Sequence, residues 1–353
     1  MQNVLVLGMG KVGVLVARLF HLDDSFNVTG MDAVTPKDDL PFKTIVSNVS
    51  NDAELRKIFS GFDAVVSCLP YQLNLAVAEA AHDAGIHYFD LTEDVPTTRA
   101  IMEMSKTAKG LMAPQCGLAP GFIGIVGADL AKKFEKLRSI ELRVGALPQH
   151  PSGKLGYAFN WSPVGVVNEY LNDCEVISNG QRKTVPPLEA LETIYIDGQK
   201  LEAFTTSGGL GTMCETYAGK VTKLDYKTMR YPGHRDMMEF FFKELHMQER
   251  RDIAGEILVN AKPPVNDDVV YVHASVEGDK GGHLYREEFV HAYRPKDIDG
   301  QTWRAISWTT AASVCAVVEM VKAGDLPQQG FLKQEDIPLS KYLNTRYGSF
   351  YKV

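Results

Sequence analysis

The chain opens with the stretch Val4–Gly13, which reads Val-Leu-Val-Leu-Gly-Met-Gly-Lys-Val-Gly. An apolar run leads directly into the pattern Gly-x-Gly-x-x-Gly, and Lys11–Phe20 carries apolar side chains at helical spacing. Gly8 permits a tight turn, Gly10 lets a phosphate approach the backbone, and Gly13 lets the helix pack closely on the strand. The N-terminus of that helix offers free N–H groups to a phosphate, so the stretch predicts a dinucleotide-binding turn.

Asp32 follows a second predicted strand, Asn27–Met31, at the distance where dinucleotide folds place the acid that binds both ribose hydroxyls. A carboxylate there repels a 2′-phosphate, and Ala33-Val34 supply no arginine, so NAD is favoured over NADP. Use of NADP through Lys37 stays open. The alternative interpretation is a glycine turn followed by a surface aspartate.

Strands and helices go on alternating through the first hundred or so residues, which predicts an α/β fold with a Rossmann doubly wound parallel sheet. The expected strands are Thr44–Val49, Ala64–Leu69, His87–Leu91 and Gly110–Ala113, and the expected helices are Ala53–Phe59, 73–84 and Thr98–Lys109. Ligands bind beyond the carboxyl ends of the strands in such sheets. Besides the three glycines and Asp32, the candidate cofactor-binding residues are therefore Lys11, Val12, Cys68, Leu69, Pro70, Leu91, Thr92, Cys116 and Gly117.

The composition limits the classes of protein that fit. The 353 residues are 45% hydrophobic and 23% charged, which is typical of a globular protein of about two domains. A net charge of −7 without a basic stripe argues against nucleic-acid or anionic-membrane partners. No apolar run reaches membrane-spanning length, and the start lacks a signal peptide's basic residues. Five scattered cysteines, and histidines without metal-ligand spacing, lead us to expect no metal site and a cytoplasmic location.

The pattern changes near residue 121. Short alternating runs such as Cys174–Ser178, Val269–Val276 and Leu284–Tyr293 predict an α+β domain with a mixed sheet. A later helix, Thr309–Lys322, is expected to pack back on the first domain. We therefore expect a dinucleotide-binding domain of residues 1–120, completed by 305–353, and a substrate-binding domain of residues 121–304.

Turn-rich segments of the second domain carry the candidate substrate-binding residues. Arg230 could clamp a substrate carboxylate through both guanidinium arms, together with the hydroxyl of Thr206 or Ser207, and Trp161 lies in a neighbouring motif. His234 could titrate near neutral pH and act as a base. The alternative interpretations are structural: an arginine paired with a structural acid, a core tryptophan, and a histidine that caps the following helix.

Glu93 and Asp94 follow the fifth predicted strand and are further candidates for a catalytic base. Either carboxylate could accept a proton from an amine or activate water. The alternative is a solvated acidic pair, or a cap for the helix that starts near Pro96. Cys116 is expected more as a small buried apolar residue than as part of the cofactor pocket.

Several motifs, taken in order, resemble the saccharopine dehydrogenase-like superfamily, and within it the short L-lysine 6-dehydrogenase branch. They are Gly-Leu-Ala-Pro-Gly (117–121), Val-Gly-Ala-Leu-Pro (144–148), Asn-Trp-Ser-Pro (160–163), Glu-Ala-Phe (202–204), Met-Cys-Glu-Thr (213–216) and Met-Arg-Tyr-Pro-Gly-His (229–234). The resemblance implies an NAD-dependent oxidative deamination of L-lysine to 2-aminoadipate 6-semialdehyde and ammonia. It also implies a homodimer or a higher homo-oligomer, assembled through the second domain.

The same resemblance marks two departures from the saccharopine reductases, which carry an aspartate where this chain has Ala119 and a cysteine where it has Val144. Their absence argues against saccharopine as the substrate. Three alternatives remain open: a saccharopine-type reductase, a dinucleotide-binding protein without turnover, and oxidation of another amine or opine.

Overall fold

The computed structural model describes residues 1–36 and 39–352, apart from the side chain of Asp52. It contains two compact units, Met1–Ile125 with Ser307–Val353 and Val126–Ile306. The expected domain boundaries lie after residue 120 and before residue 305, within a few residues of this division. Lys37, named above for NADP binding, lies outside the described residues.

The first unit begins with strands that alternate with helices, as the sequence predicts. In chain order these elements are β1 (Asn3–Leu7), α1 (Lys11–His21), β2 (Asn27–Asp32), β3 (Lys43–Val46), α2 (Asp52–Phe59), β4 (Ala64–Ser67), α3 (Asn74–Ala84), β5 (His87–Asp90), α4 (Val95–Met104) and β6 (Leu111–Ala113). The next helix, α5 (Phe122–Ala131), begins in the first unit and ends in the second. Helix α3 ends at Gly85, which has the left-handed conformation of a C-terminal cap.

The second unit contains more strands than the sequence predicts. Its elements are β7 (Lys136–Pro148), α6 (Pro163–Leu171), β8 (Cys174–Ser178), β9 (Gln181–Val185), β10 (Glu192–Ile196), β11 (Gln199–Thr205), α7 (Met213–Tyr217), β12 (Lys223–Arg230), α8 (His234–Glu239), α9 (Arg251–Ala261), β13 (Asp268–Lys280), β14 (His283–Tyr293), β15 (Lys296–Ile298) and β16 (Gln301–Trp303). A π-helical turn, Phe240–Glu244, follows α8.

The chain then completes the first unit with α10 (Ala305–Ala323), β17 (Gly330–Phe331) and α11 (Leu339–Asn344). The C-terminal segment packs against the start of the chain, since the Tyr347 hydroxyl donates to Leu19 O at 3.1 Å. The Phe122 and Tyr351 rings stack at 3.9 Å. Helix α10 is long and apolar enough to span a membrane, but 78% of its apolar window is buried, as in the core helix of a soluble protein.

The described strands of the first unit form one parallel sheet in the order β17-β6-β5-β4-β1-β2-β3. This confirms the doubly wound fold. The chain leaves β1 towards β2 and β3 and later crosses to β4, β5 and β6 on the other side. The carboxyl ends of all these strands therefore lie along one edge, where such folds bind ligands.

Two of the elements before α5, namely α4 and β3, differ from their expected bounds by three residues or more. The helix predicted at Thr98–Lys109 is instead α4, which starts three residues earlier because Asp94 caps it and Pro96 is tolerated in a first turn. Strand β3 ends at Val46 because Asn48 starts a turn, in which its side chain accepts from Ser50 N–H at 2.9 Å.

The second unit is built on a mixed sheet with the path β10-β11-β12-β7-β13-β14, and β8 pairs with both β12 and β9. Strands β12 and β7 run parallel, whereas β13 pairs antiparallel with β7 and β14. The hairpin between β13 and β14 is longer than expected, because its turn is only Gly281-Gly282, both at positive φ. These observations confirm a second, mixed-sheet unit.

Candidate functional site

The glycine turn between β1 and α1 has the geometry of a dinucleotide-binding turn. Gly8 has a φ of +87°, and its N–H donates to Met31 O at 2.8 Å. A Cβ on Gly13 would lie 1.8 Å from Gly8 O, so a side chain there would force the backbone to move. A Cβ on Gly10 would meet no atom within 4 Å, and α1 starts at Lys11 without a side-chain cap. Open space beside the N-terminus of this helix fits a pyrophosphate.

Asp32 ends β2 beside this turn. One carboxylate oxygen accepts from Met9 N–H at 2.6 Å and the other from Val34 N–H at 3.1 Å. Two backbone donors thus fix the carboxylate next to the glycine turn. A carboxylate has about four acceptor positions, so two remain for ribose hydroxyls.

Ser47 is a residue that the sequence analysis missed. It follows β3, and its N–H donates to Asp32 O at 3.0 Å, which places it next to the carboxyl end of β2. Its hydroxyl is buried and has no hydrogen-bond partner in the described part of the chain. An unsatisfied buried hydroxyl is unfavourable, and a polar atom of a ligand would satisfy it. A serine directly after the third strand was the available signal.

The loop after β4 packs on the glycine turn. A Cβ on Gly8 would lie 3.0 Å from Cys68 O and 3.1 Å from Leu69 Cδ2, so both residues lie against the turn. Pro70 is exposed and starts a short 3₁₀ turn. Burial raises the pKa of the Cys68 thiol to about 12, and this side chain therefore stays neutral.

Asp90, which the sequence analysis also missed, is fully buried at the end of β5. Its carboxylate accepts from the Tyr88 hydroxyl at 2.7 Å and from the N–H groups of Thr92 and Gln115 at 2.9 Å each. Burial raises its pKa to about 6, although these three hydrogen bonds oppose the change. The loops after β5 and β6 are thus tied to one carboxylate.

Glu93 and Asp94 have different environments, although they are neighbours in sequence. Asp94 is the N-cap of α4 and accepts from both N–H and hydroxyl of Thr97, at 2.9 and 2.7 Å. Its carboxylate therefore serves the helix cap that was the alternative interpretation. Glu93 is half-buried, and burial, with the nearby charges of Asp94 and Asp90, raises its pKa to about 7. Of the two, Glu93 is suited to exchange a proton near neutral pH.

The loop after β6 contains two candidate cofactor residues, both buried. Gln115 adopts a φ of +66°, and the Cys116 thiol lies 3.1 Å from Ala113 O and 3.4 Å from Gln334 Nε2. Burial raises the pKa of Cys116, in keeping with its interpretation as a small buried residue. Gly117 O accepts from the Ser313 hydroxyl at 2.8 Å.

In the second unit, Arg230 is buried under aromatic rings. Its Nε donates to the Tyr170 hydroxyl at 2.7 Å, and its Nη1 donates to Thr228 Oγ1 and Met229 O at 2.6 and 2.9 Å. The guanidinium carbon lies 4.6 Å from the Tyr157 ring centre. Because Nη1 is saturated, Arg230 does not present the two-armed clamp expected from the sequence. Nη2 lies 3.9 Å from the Glu169 carboxylate and is the one arm that no hydrogen bond holds in the described part of the chain.

His234 does not fit the role of base that the sequence suggested. Its Nδ1 lies 2.8 Å from Leu155 O and its Nε2 lies 3.0 Å from the Tyr170 hydroxyl, so both ring nitrogens are engaged. Burial and the charge of Arg230 lower the pKa of His234 to about 3. A neutral ring that donates to Leu155 and accepts from Tyr170 leaves the tyrosine oxygen free to accept from Arg230. This histidine therefore positions Tyr170.

The remaining candidates of the second unit lie close, in sequence or in space, to the group formed by Arg230, Tyr170 and Tyr157. Trp161 is half-buried and its indole N–H donates to the Tyr157 hydroxyl at 3.2 Å. Ser207 N–H donates to Glu169 O at 3.1 Å, and the Glu169 carboxylate lies 3.9 Å from Arg230 Nη2. The Thr206 hydroxyl is buried, and no described group bonds to it, which leaves it available to a ligand. Among the described residues no cluster of three or more acidic, histidine or cysteine side chains could hold a metal ion.

Two family models match the chain. The model of the saccharopine dehydrogenase NADP binding domain matches residues 4–113, and that of the saccharopine dehydrogenase C-terminal domain matches residues 117–348. Among curated relatives, the mitochondrial alpha-aminoadipic semialdehyde synthase of Mus musculus is 26% identical over 265 residues, which are 69% of this chain and 28% of that protein. The saccharopine dehydrogenase (NADP+, L-glutamate-forming) of Saccharomyces cerevisiae is 26% identical over 203 residues, 54% of this chain and 46% of that protein.

This chain thus spans less than half the length of both relatives. Solved structures show the same fold. An apo saccharopine dehydrogenase (L-Glu forming) from Saccharomyces cerevisiae superposes with a TM-score of 0.77 at 17% identity, over 99% of this chain and 98% of the other. An engineered D-amino acid dehydrogenase bound to NADP+ superposes with a TM-score of 0.52 at 13% identity, over 100% of this chain and 99% of the other. Because the two models cover nearly the whole sequence, the chain belongs to the saccharopine dehydrogenase family.

Proposed function

We propose that this chain is an NAD-dependent oxidoreductase acting on the CH–NH₂ group of an amino acid. The proposed substrate is L-lysine, oxidised at its ε-carbon to 2-aminoadipate 6-semialdehyde and ammonia. The observation that carries the proposal is the position of Glu93, a half-buried carboxylate that follows β5 at the carboxyl edge of the parallel sheet. Burial there raises its pKa to about 7. The choice of lysine follows from the motifs of the second unit, which resemble those of the lysine 6-dehydrogenase branch.

The first step of the proposed reaction is removal of a proton from the substrate by a base. A lysine ε-ammonium has no lone pair to assist the departure of hydride, so one N–H proton must leave first. Glu93 accepts that proton when it is ionised, which holds above pH 7. A bound nicotinamide dinucleotide would accept the hydride. Water then adds to the resulting imine, and ammonia leaves the carbinolamine to give the aldehyde.

The second unit offers groups suited to the α-carboxylate of an amino acid. Arg230 is held in one orientation by Tyr170 and Thr228, and these bonds leave its Nη2, which lies 3.9 Å from the Glu169 carboxylate. The Thr206 hydroxyl is a further donor without a described partner. A buried guanidinium and a hydroxyl together favour a carboxylate over a neutral group.

The preference for NAD rests on Asp32. Its carboxylate is fixed by Met9 and Val34 beside the glycine turn, so a 2′-phosphate placed against it would be repelled. The names of the matched domain model and of the yeast relative include NADP, and NADP use is therefore the alternative to be measured. Fluorescence titration with NADH and NADPH tests the preference directly: tighter NADPH binding would refute it.

The function itself is tested by a substrate panel read at the absorbance band of reduced nicotinamide. Lysine, ornithine, saccharopine and related diamines would be offered with NAD and with NADP. We expect NAD reduction with lysine and release of one ammonia per hydride. Turnover with another substrate, or none with lysine, would refute the proposed substrate.

The relatives favour a second candidate, a saccharopine dehydrogenase activity that forms L-glutamate. It differs from lysine oxidation in its dependence on glutamate. Reduction of the semialdehyde that requires glutamate rather than ammonia would support this second activity. The dinucleotide turn and Glu93 are compatible with both reactions.

We also propose that the chain forms a homodimer or a higher homo-oligomer. Strand β14 ends the path of the second sheet and has exposed apolar side chains at Leu284, Tyr285 and Val290. An open edge with apolar groups favours pairing with another chain. Sedimentation of the purified protein tests this, and a monomer at micromolar concentration would refute it.

A further inference from the structure

Asp90 joins two loops that are far apart in sequence. One oxygen, Oδ1, accepts from both Thr92 N–H and Gln115 N–H at 2.9 Å, while Oδ2 accepts from the Tyr88 hydroxyl at 2.7 Å. The Asp90 carbonyl oxygen also accepts from Cys116 N–H at 2.8 Å. A single residue therefore fixes where the chain goes after β5 and after β6.

This attachment has structural consequences on both sides. Gln115 has a φ of +66°, which is unfavourable for a residue with a side chain, and its bond to Asp90 offsets part of that cost. The Thr92 hydroxyl accepts from Asp94 N–H at 3.1 Å, so the bond from Asp90 to Thr92 fixes the segment that contains Glu93.

We propose that Asp90 is a positioning residue for the base: one of its oxygens holds the Glu93 loop against the Gln115 loop, and its negative charge acts on Glu93. The inference rests on the function proposed above, because it assigns Glu93 as the base. It adds a residue that does not itself touch the substrate.

Few charged groups lie near the pair in the part of the chain that the structure describes. Among those residues, Asp94 and Asp90 are the charged groups that act on Glu93. Around Asp90 lie the hydroxyl of Tyr88 and the thiols of Cys68 and Cys116, all of which burial keeps neutral. Removal of the Asp90 charge therefore leaves Glu93 with one charged neighbour, and should make the loss of its proton easier.

The substitution Asp90→Asn separates charge from geometry. The Oδ1 of the new asparagine keeps the hydrogen bonds to both loops. Its amide N–H₂ can donate to the Tyr88 hydroxyl. That hydroxyl can in turn donate to Asn74 O, which lies 3.3 Å away. Asp90→Ala removes both loop bonds. Tyr88→Phe is a second route, because loss of its hydrogen bond favours the protonated form of Asp90 while both loop bonds stay.

The decisive measurement is the titration of the Glu93 carboxyl by ¹³C NMR in the full-length protein with labelled glutamate. Glu93→Gln identifies the resonance. We expect its midpoint to fall in Asp90→Asn, on the order of half a pH unit, and to fall in Tyr88→Phe as well. An unchanged midpoint in Asp90→Asn, with a folded far-UV spectrum, would overturn the electrostatic part. If that variant does not fold, an unchanged midpoint in Tyr88→Phe has the same meaning.

The geometric part has its own readout, which is NADH affinity measured by fluorescence. We expect the NADH affinity of Asp90→Asn to stay within about two-fold of the parent. In Asp90→Ala the affinity should fall ten-fold or more, because both loops become mobile without their hydrogen bonds to residue 90. Equal affinities in Asp90→Ala and the parent would overturn this part. Neither readout needs a substrate, so failure of the lysine reaction and failure of the Asp90 proposal are distinguishable.

Discussion

Replacement of Glu93 by glutamine should make the folded protein more stable at high pH. The pKa of this carboxyl rises from an ordinary 4.5 to about 7 on folding, mainly through burial. The folded state therefore binds the proton more tightly than the unfolded chain, and stability falls as the pH rises from 4.5 to 7. By proton linkage, ionisation of Glu93 lowers the free energy of unfolding by about 3 kcal/mol at pH 8 and by about 1 kcal/mol at pH 5. Glutamine removes that pH-dependent cost.

Urea unfolding of Glu93→Gln and the parent at pH 8 and pH 5 would measure the effect. Trp308 lies in the first unit, whereas Trp161 and Trp303 lie in the second, so a background with phenylalanine at those two positions reports the first unit alone. We expect a stability gain about 2 kcal/mol larger at pH 8 than at pH 5. Glu103→Gln, at a side chain that is 71% exposed, is the matched control and should change little at either pH. A gain that is equal at the two pH values would refute the reasoning.

Four other predictions follow from the described contacts. Activity of the parent enzyme, as kcat/KM, should fall as the pH drops through about 7, because Glu93 becomes protonated, and Glu93→Gln should lose at least 100-fold; a flat profile between pH 6 and 8 would count against it as the base. The His234 pKa of about 3, against an ordinary 6.5, means that protons favour the unfolded chain below pH 6.5. From pH 7 to pH 5, the free energy of unfolding of the parent should therefore change by about 2 kcal/mol less favourably than that of His234→Gln, and equal changes would refute this. Gly10→Ala should fold with normal stability but bind NADH at least ten-fold more weakly, whereas Gly13→Ala should destabilise the protein by about 3 kcal/mol or more; calorimetry that showed equal NADH binding in Gly10→Ala would place the phosphates elsewhere. Ser47→Ala should weaken NADH binding about three- to ten-fold, with the exposed Ser50→Ala as control, and equal affinities would mean that the buried hydroxyl meets no ligand.

The first unit could be predicted from the sequence because its signals are local. The glycines of the first turn act within a few residues, and so do the residues that bound two helices. Asn51 caps α2 by accepting from Glu54 N–H at 3.4 Å, and Gly85 ends α3 in the left-handed conformation. Strand β17 has only two residues, which is too short for periodicity to indicate, and it pairs only because β6 offers an edge. Strands β9, β11 and β12 of the second sheet were not predicted, and β12 pairs with β7, which lies far away in sequence.

The site residues show the same division between local and distant causes. Asp94 and Glu93 are adjacent acids, and what separates them is a cap to Thr97 on one side and burial on the other. A cap can be suspected from spacing, but burial cannot. His234 was a candidate base because nothing near it in sequence engages its ring. Its two partners, Leu155 O and the Tyr170 hydroxyl, lie far away in sequence. Asp90 went unnoticed because its partner Gln115 lies in the loop after β6, 25 residues further along the chain.

The first unit is interrupted in the chain, and this has a consequence for how the protein is made. A ribosome releases residues 1–125 early, yet α10, β17 and α11 are synthesised only after the whole second unit. Until then, the surfaces that contact Tyr347 and Tyr351 in the folded protein stay exposed to solvent, and the parallel sheet lacks its edge strand β17. The second unit, being continuous, has every residue it requires beforehand. Its folding should therefore come first, and stalled nascent chains should show a protease-resistant second unit while the first is still digested.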